Sequence, residues 1–465
     1  MSFSRQTQEL TQRARQHCIE RGCGASYGIN ERLYVCSRCG GLLDLETKTE
    51  QVRDAESLRE IWRERLRSFD ACDRSGVWRF RELLPFTNDA PIVSLMEGNT
   101  PLYEAPRSAD YCGLDSLQLK HQGFNPTGSF KDTGMTTAVT QARIIGARLL
   151  VCASTGNTAA SLAAYAARGD LLCAIMVPAG QVSSAKLAQA LDYGARVLEI
   201  EGNFDACMRL MRELAEDESI YLVNSINPFR IEGQKTVAAE LAEQLDWRVP
   251  DTLVVPGGNL GNSSAFGKGF QDLLTMGLID RMPRIIVVQA EGAAPFARLF
   301  AQHEQEMMKS DPPLDLLELD QPHTLASAIK IGAPVSWKKA WRALRLTNGL
   351  VLTVDEQEIA DAKAIVGRDG IGCEPASATT VAGIKKLVST GAMKKHEKVV
   401  AVLTGHLLKD TDYVINYHNQ TLVTDWGAEG AHRIVGHFSN QQVRVEASLG
   451  VIRDVLERLQ EEHET

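Results

Sequence analysis

The chain has no excess of basic charge. Its 50 lysines and arginines are outnumbered by 59 aspartates and glutamates, giving a formal net charge of −9. A general nucleic-acid binder needs the opposite balance to neutralise phosphates, so no nucleic-acid partner is expected. No apolar run reaches the roughly 18 residues of a membrane helix, so no membrane span is expected either. The opening M-S-F-S-R-Q-T-Q-E-L lacks the apolar stretch of a secretory signal. Internal repeats and low-complexity tracts are also missing. Six of the ten cysteines (Cys72, Cys112, Cys152, Cys173, Cys207 and Cys373) are scattered. Scattered cysteines without a signal read as reduced thiols of a cytoplasmic protein, small core residues and not catalysts. A small anionic substrate held by a few local cations remains compatible with the charge.

What is present is a chain of 465 residues, 44% hydrophobic and 23% charged, enough for two or three globular domains. From Gly98 to about Lys409, short β-branched runs alternate with helical runs. Strands are predicted at Leu149–Ala153, Cys173–Val177, Arg196–Ile200, Thr252–Val255, Ile285–Gln289 and Val399–Leu403. Helices are predicted between them at Thr158–Arg168, Ser184–Leu191, Phe204–Ala215 and Thr236–Leu245. Such alternation means α/β architecture: open, mostly parallel twisted sheets with helices on both faces. Residues 50–90 read as helical and charged, and an amphipathic helix is predicted over Leu449–Leu459.

Four cysteines cluster near the start, as Cys18-x4-Cys23 and Cys36-x2-Cys39 with twelve residues between the pairs. Four converging thiolates suit tetrahedral zinc, and C-S-R-C-G-G is a good knuckle, although the first pair is wider than usual. His17 is an additional or substitute ligand in this reading. The bland alternative is four unpaired thiols.

The segment Asn125–Asp132, N-P-T-G-S-F-K-D, places Lys131 after a small-residue turn, at the start of a helical run over Thr133–Ala147. A lysine forms a Schiff base only when its amine is neutral. A helix N-terminus and desolvation both disfavour the ammonium. Three further motifs each begin at the carboxyl end of a predicted strand. Ala153–Ser161, A-S-T-G-N-T-A-A-S, opens a helix with anion-binding backbone N–H groups and the side chains of Ser154, Thr155, Asn157 and Thr158. Alone it would be an ordinary N-cap. Val255–Asn262, V-P-G-G-N-L-G-N, is a glycine-rich cup without the Walker lysine or the dinucleotide spacing. Leu403–Asp410, L-T-G-H-L-L-K-D, puts Thr404 at a strand's carboxyl end, where open sheets bind ligands. His406 reads as a structural residue sooner than a base.

In this order the four motifs resemble the fold-type II enzymes dependent on pyridoxal phosphate, and among them the threonine synthases. The resemblance extends over Glu97–Leu102, Asn224–Thr236, Ala328–Trp337 and Gly370–Ala378. It implies a zinc-ribbon-like module at 1–48, a large cofactor domain at 49–130 and 229–465, and a smaller substrate-side domain at 131–228. It implies a lyase turning O-phospho-L-homoserine and water into threonine and phosphate. Lys131 then resembles the catalytic lysine that bonds the cofactor, with Phe130 supporting it. Asn157 matches the partner of the cofactor's phenolic oxygen, and Thr404 the partner of its ring nitrogen. Gly258, Asn259, Leu260, Gly261 and Asn262 match the loop around its phosphate. Ser154 and Thr155 match positions near the substrate carboxylate. Asn224, Ser225 and Arg230 match the substrate-phosphate site, with Lys330 adding a second cation. Cys18, Cys23, Cys36 and Cys39 match a structural zinc ribbon, and a homodimer is expected by analogy. Gln122, Thr133, Lys330 and Leu407 stand where the family usually has glutamate, arginine, arginine and glycine. An enzyme acting on O-phosphoserine, serine or threonine, similar to a cysteate synthase or a threonine dehydratase, is the alternative. A zinc-ribbon binding module on an inactive scaffold is a more distant one.

Overall fold

Continuous apolar runs make strands that are covered on both faces, and such strands pair in parallel. Thr252–Pro256 (β10), Arg284–Ala290 (β11) and Val399–Leu403 (β13) are of this kind, and the more polar Leu117–His121 (β5, L-Q-L-K-H) pairs in parallel beside β13. They build a six-stranded sheet with Leu102–Glu104 (β4) and Leu350–Val354 (β12), in the order β12-β11-β10-β13-β5-β4. All pairings in it are parallel except β4 with β5. The computed structural model describes residues 14–47, 54–180, 184–202, 204–214, 217, 219–307, 315–426 and 430–464. The signal reading of the first ten residues lies outside them.

The six-stranded sheet separates two layers of core. Leu253, Val255, Ile285, Val287, Val400 and Val402 pack on one face with Phe266, Phe270 and Trp341. Val254, Ile286, Val288, Val399, Ala401 and Leu403 pack on the other with Val381 and Ile384. Successive residues of each strand thus serve opposite faces, as the pleat requires.

A second, four-stranded parallel sheet has the order β8-β7-β6-β9, formed by Arg196–Ile200, Leu172–Pro178, Leu149–Ala153 and Ile220–Leu222. It lies between β5 and β10 in the chain. Ala14–Cys18 (β1), Ser26–Gly28 (β2) and Leu43–Thr47 (β3) form a small antiparallel sheet in the order β2-β1-β3.

The small sheet docks on the helix Trp337–Leu346. Lys338 pairs with Glu20 at 2.7 Å, Lys339 donates to the Leu43 carbonyl at 2.6 Å, and Arg342 donates to the Ile19 carbonyl. Lys268 joins from a second helix, donating to Asp44 (2.9 Å) and to the Leu45 carbonyl (2.6 Å). A further tie runs to the four-stranded sheet, where the Leu222 N–H donates to the Tyr34 hydroxyl at 2.8 Å.

Residues 50–90 contain one helix, Ala55–Arg65, and a short 3-10 stretch, Trp78–Leu83, among those described. At the far end, Leu449–Glu464 is helical with Leu449, Ile452, Leu456 and Leu459 all exposed. Among the described residues no helix is long and apolar enough to cross a membrane.

Candidate active site

The segment carrying Lys131 leaves the carboxyl end of β5, and those carrying Asn157, Gly258 and Thr404 leave β6, β10 and β13. Because β10, β13 and β5 are neighbours, the glycine loop, Thr404 and the lysine turn stand side by side at one sheet edge. The turns are stitched together: Phe130 N–H donates to the Thr404 carbonyl (2.9 Å), and His406 N–H donates to the Gly128 carbonyl (2.9 Å). His406 Nδ1 also accepts from the Leu408 N–H at 3.2 Å, so its ring is engaged in shaping the loop.

Lys131 is the first residue of the helix Lys131–Ile144, which thus begins slightly earlier than the sequence predicts. Its Nζ sits 3.9 Å from the Phe130 ring centre. Burial pushes its amine down to about 7; the Arg230 guanidinium pushes in the same direction and the Glu374 carboxylate opposes them. An amine with that value is substantially neutral at neutral pH, the state a nucleophilic or proton-transferring lysine needs. Asp132 holds the turn. It accepts from Thr127 N–H (2.7 Å), Thr127 Oγ1 (2.6 Å) and Ser161 Oγ (2.5 Å), and Ser161 lies on the helix that Asn157 begins.

Arg230 lies on the helix Phe229–Gln244, which crosses the lysine helix closely. Room for the crossing comes from Gly134, whose added Cβ would meet the Arg230 carbonyl at 2.6 Å, and from Gly233. The guanidinium is buried, and its Nε has no hydrogen-bond partner among the described residues. Burial pulls its proton affinity down to about 10. A desolvated cation with an idle donor calls for an anion. Asn224 exchanges hydrogen bonds of 3.1 Å with the Ala153 backbone and so ties β6 to the segment before Arg230. Ser225 is partly buried beside it. Ser154 Oγ accepts from the Gly156 N–H at 3.3 Å, an ordinary turn contact, and Thr155 is partly exposed. Lys330 is exposed, just after the turn Ser327–Ile329 that faces Gly258.

The glycine loop ends in the helix Gly261–Thr275, with Leu260 in the left-handed region at φ 63°. Asn259 is gripped by its carbonyl and side chain, which accept from the N–H groups of Ser336 (3.1 Å) and Val335 (3.4 Å). At Gly258 an added Cβ would press on the Ala328 carbonyl at 3.3 Å. Asn262 Oδ1, Ser263 Oγ and Gln122 Nε2 are buried polar atoms without partners among the described residues. Open helix N–H groups, a glycine cup and idle polar side chains make a fit for a phosphate.

Glu374 has no role in the sequence reading, although its segment is part of the resemblance. Its buried carboxylate accepts from Asn157 Nδ2 (3.0 Å) and Thr404 Oγ1 (2.9 Å). Gly405 is required there, since an added Cβ would stand 2.3 Å from the Glu374 carboxyl carbon. Burial raises the carboxyl's proton affinity, and the bonds from Asn157 and Thr404 pull the other way. Asn157 and Thr404 thus present their donors to one shared acceptor. A ring bearing a phenolic oxygen and a pyridine nitrogen offers acceptors of the same kind, so the donor set fits pyridoxal phosphate. A lone glutamate before a helix looks like a cap residue, and only its juxtaposition with the two motifs reveals it.

The profile of the family described as pyridoxal-phosphate dependent enzyme matches residues 93–405. The threonine synthase of Methanocaldococcus jannaschii is 41% identical over 445 residues, 96% of this chain and 100% of its own. That of Methanosarcina acetivorans is 44% identical over 409 residues, 88% of this chain and 95% of its own. The chain belongs to the threonine synthase family of pyridoxal-phosphate dependent enzymes. The family's fold extends to more distant proteins. A threonine deaminase of Solanum lycopersicum superposes with TM-score 0.57 at 20% identity, over 78% of this chain and 89% of that one. At that identity the likeness concerns the fold alone.

At the N-terminal module the Sγ atoms of Cys18 and Cys39 lie 3.4 Å apart and those of Cys23 and Cys36 3.7 Å apart. All four lie within 4.8 Å of one another. The adjacent His17 is left out of the group, because neighbouring strand residues point to opposite faces. Its Nδ1 is buried and unpartnered among the described residues, and it lines a cavity with Asp44 and Lys268.

Proposed function

We propose that this chain converts O-phospho-L-homoserine and water to L-threonine and inorganic phosphate, with pyridoxal phosphate as cofactor. The observation that carries this reading is the buried Arg230 beside a lysine of lowered proton affinity. Unphosphorylated serine or threonine brings no phosphate to set against that guanidinium.

When bound, pyridoxal phosphate draws electrons from the substrate's α-carbon and makes neighbouring protons removable. The remaining work belongs to the chain. Lys131 would anchor the cofactor; its neutral amine accepts protons at the substrate's carbons and the ammonium so formed returns them. Phe130 and the Gly258–Asn262 loop seat the ring and the phosphate, and Asn157 and Thr404 hold the ring's acceptors. Arg230, with Asn224, Ser225 and Lys330, holds the leaving phosphate by charge-assisted bonds. Ser154 and Thr155 receive the substrate carboxylate. On this reading residues 131–228 form the substrate-side unit, and 49–130 with 229–465 the cofactor unit.

The four cysteines hold one structural zinc. Four thiolates leave no open position on the metal, so its role is to shape the module. Homodimeric assembly and a cytoplasmic setting belong to the same proposal by analogy with such enzymes.

The test is an assay of the protein with O-phospho-L-homoserine that follows phosphate and threonine together. Equal amounts of both are expected. Turnover of O-phosphoserine, serine or threonine in its place would overturn the assignment of substrate.

A further inference from the structure

A second cluster of cations stands behind the candidate active site, in a cavity of about 210 Å³. Its walls come from the helix Glu356–Arg368, the helix Thr411–His418, Asn440, and the turns at Gly372 and Leu407. Lys363, Arg368 and His418 line it together with Tyr413, and among the described residues no carboxylate does.

Lys363 is 9% exposed and Tyr413 4%. Among the described residues no carboxylate pairs with Lys363 or Arg368. The ammonium's ring contact is with Tyr413, 5.9 Å from the ring centre, and the Arg368 guanidinium lies over Phe438 at 5.0 Å. The Tyr413 hydroxyl is buried without a hydrogen-bond partner among the described residues. His418 Nδ1 accepts from the Asn440 N–H at 2.9 Å, which leaves Nε2 as the protonated, donating nitrogen of the neutral ring.

The acidic groups nearby hold hydrogen bonds of their own, and Asp410 still attracts the Lys363 ammonium from a distance. Asp361 accepts from Tyr417 and pairs with His437, Glu356 accepts from the Leu325 N–H, and Asp410 from Ser327. Lys363 is a buried ammonium that has lost water and that Asp410 attracts without a direct contact, whereas Arg368 is exposed; a small anion entering between them would stabilise the buried charge. The cavity is also specified by the backbone: Gly372, at φ 68°, has space only for hydrogen against Leu407, whose Cδ2 would lie 2.6 Å from an added Cβ.

The geometry points to a binding site for a small oxyanion, phosphate- or carboxylate-bearing, held by Lys363, Arg368, Tyr413 and His418. It is separate from the phosphate pocket at Arg230. A structural link joins the two regions: the Gly372 carbonyl accepts from His121 Nε2 at 2.8 Å, two residues before Glu374.

Calorimetric titration of the cofactor-loaded protein tests it. The Arg230→Ala background removes the binding of phosphate expected at the active site, so that failure of the proposed reaction does not obscure the result. Inorganic phosphate and malonate are titrated separately, to distinguish the two sources of anion. At least one is expected to bind with one site per chain, and Lys363→Met to weaken it tenfold or more. Tyr413→Phe keeps the ring and removes the idle hydroxyl. It is expected to leave Tm in anion-free buffer unchanged or higher, and to reduce the rise in Tm that the anion gives. Absence of binding by both anions at millimolar concentration would overturn the site. So would affinity unchanged in both variants.

Discussion

A Cβ added to Gly233 would stand 1.9 Å from the carbonyl oxygen of Thr133. Those two residues stand where the helices that carry Arg230 and Lys131 cross in close contact. The spacing of the guanidinium from the lysine therefore depends on a missing side chain outside the site itself. Gly233→Ala is expected to force the helices apart and to destabilise the fold by about 1–3 kcal/mol. Denaturant titration reads the first effect. Activity should fall more than stability predicts, because Arg230 moves with its helix.

Capture of pyridoxal phosphate by the cofactor-free protein needs the neutral amine of Lys131. With that amine pushed down to about 7, the capture rate should rise with pH below about 7 and level off above it. Arg230 lowers the value and Glu374 raises it. Arg230→Ala should therefore move the inflection to higher pH, and Glu374→Gln to lower pH. Stopped-flow absorbance of the bound cofactor measures both, and shifts of the same sign would contradict the arrangement.

Arg230→Ala is expected to raise KM for the phosphorylated substrate about 10- to 100-fold, the equivalent of losing hydrogen bonds between charged groups. Cofactor content, read from absorbance, should be unchanged. Arg230→Lys should recover only part of the loss, since an ammonium lacks the planar fork.

Metal analysis should find one zinc per chain, and Cys36→Ser should abolish it. Because zinc binding and folding of such a module are coupled, the variant should also melt at lower temperature. Unchanged metal content in Cys36→Ser would remove the four cysteines as ligands.

Much of the sheet framework was readable in advance. The strands Leu149–Ala153, Arg196–Ile200 and Val399–Leu403 fall where their apolar runs lie. The helix predicted from Thr236 begins at Phe229. Its first turns bury Arg230, Glu232 and Lys235 along with Ile231, so polarity no longer alternates with exposure and the helical period disappears. Three-residue strands such as Ile220–Leu222 are too short for any period. At the site, the four motifs are local strings and could be read as such. Glu374 could not, because what distinguishes it from a helix cap is contact with Asn157, 217 residues away in the chain. The exclusion of His17 from the cysteine group is also tertiary, set by which face of β1 turns toward Lys268.

The docking of the small N-terminal sheet bears on how this protein can be shortened. Asp44 is the carboxylate that Lys268 and Lys339 share, at 2.9 and 3.7 Å, and the two lysines hold it well below the usual carboxylate range. A chain cut back to residue 54 would keep both lysines and lose the carboxylate they share, leaving Lys268 with Glu232 as its partner. It would also free the helix Trp337–Leu346, whose preceding residue, Ser336, grips Asn259. Residues 14–47 thus act less as a detachable ornament than as the outer half of a clasp, and trimming them would loosen the glycine loop from behind.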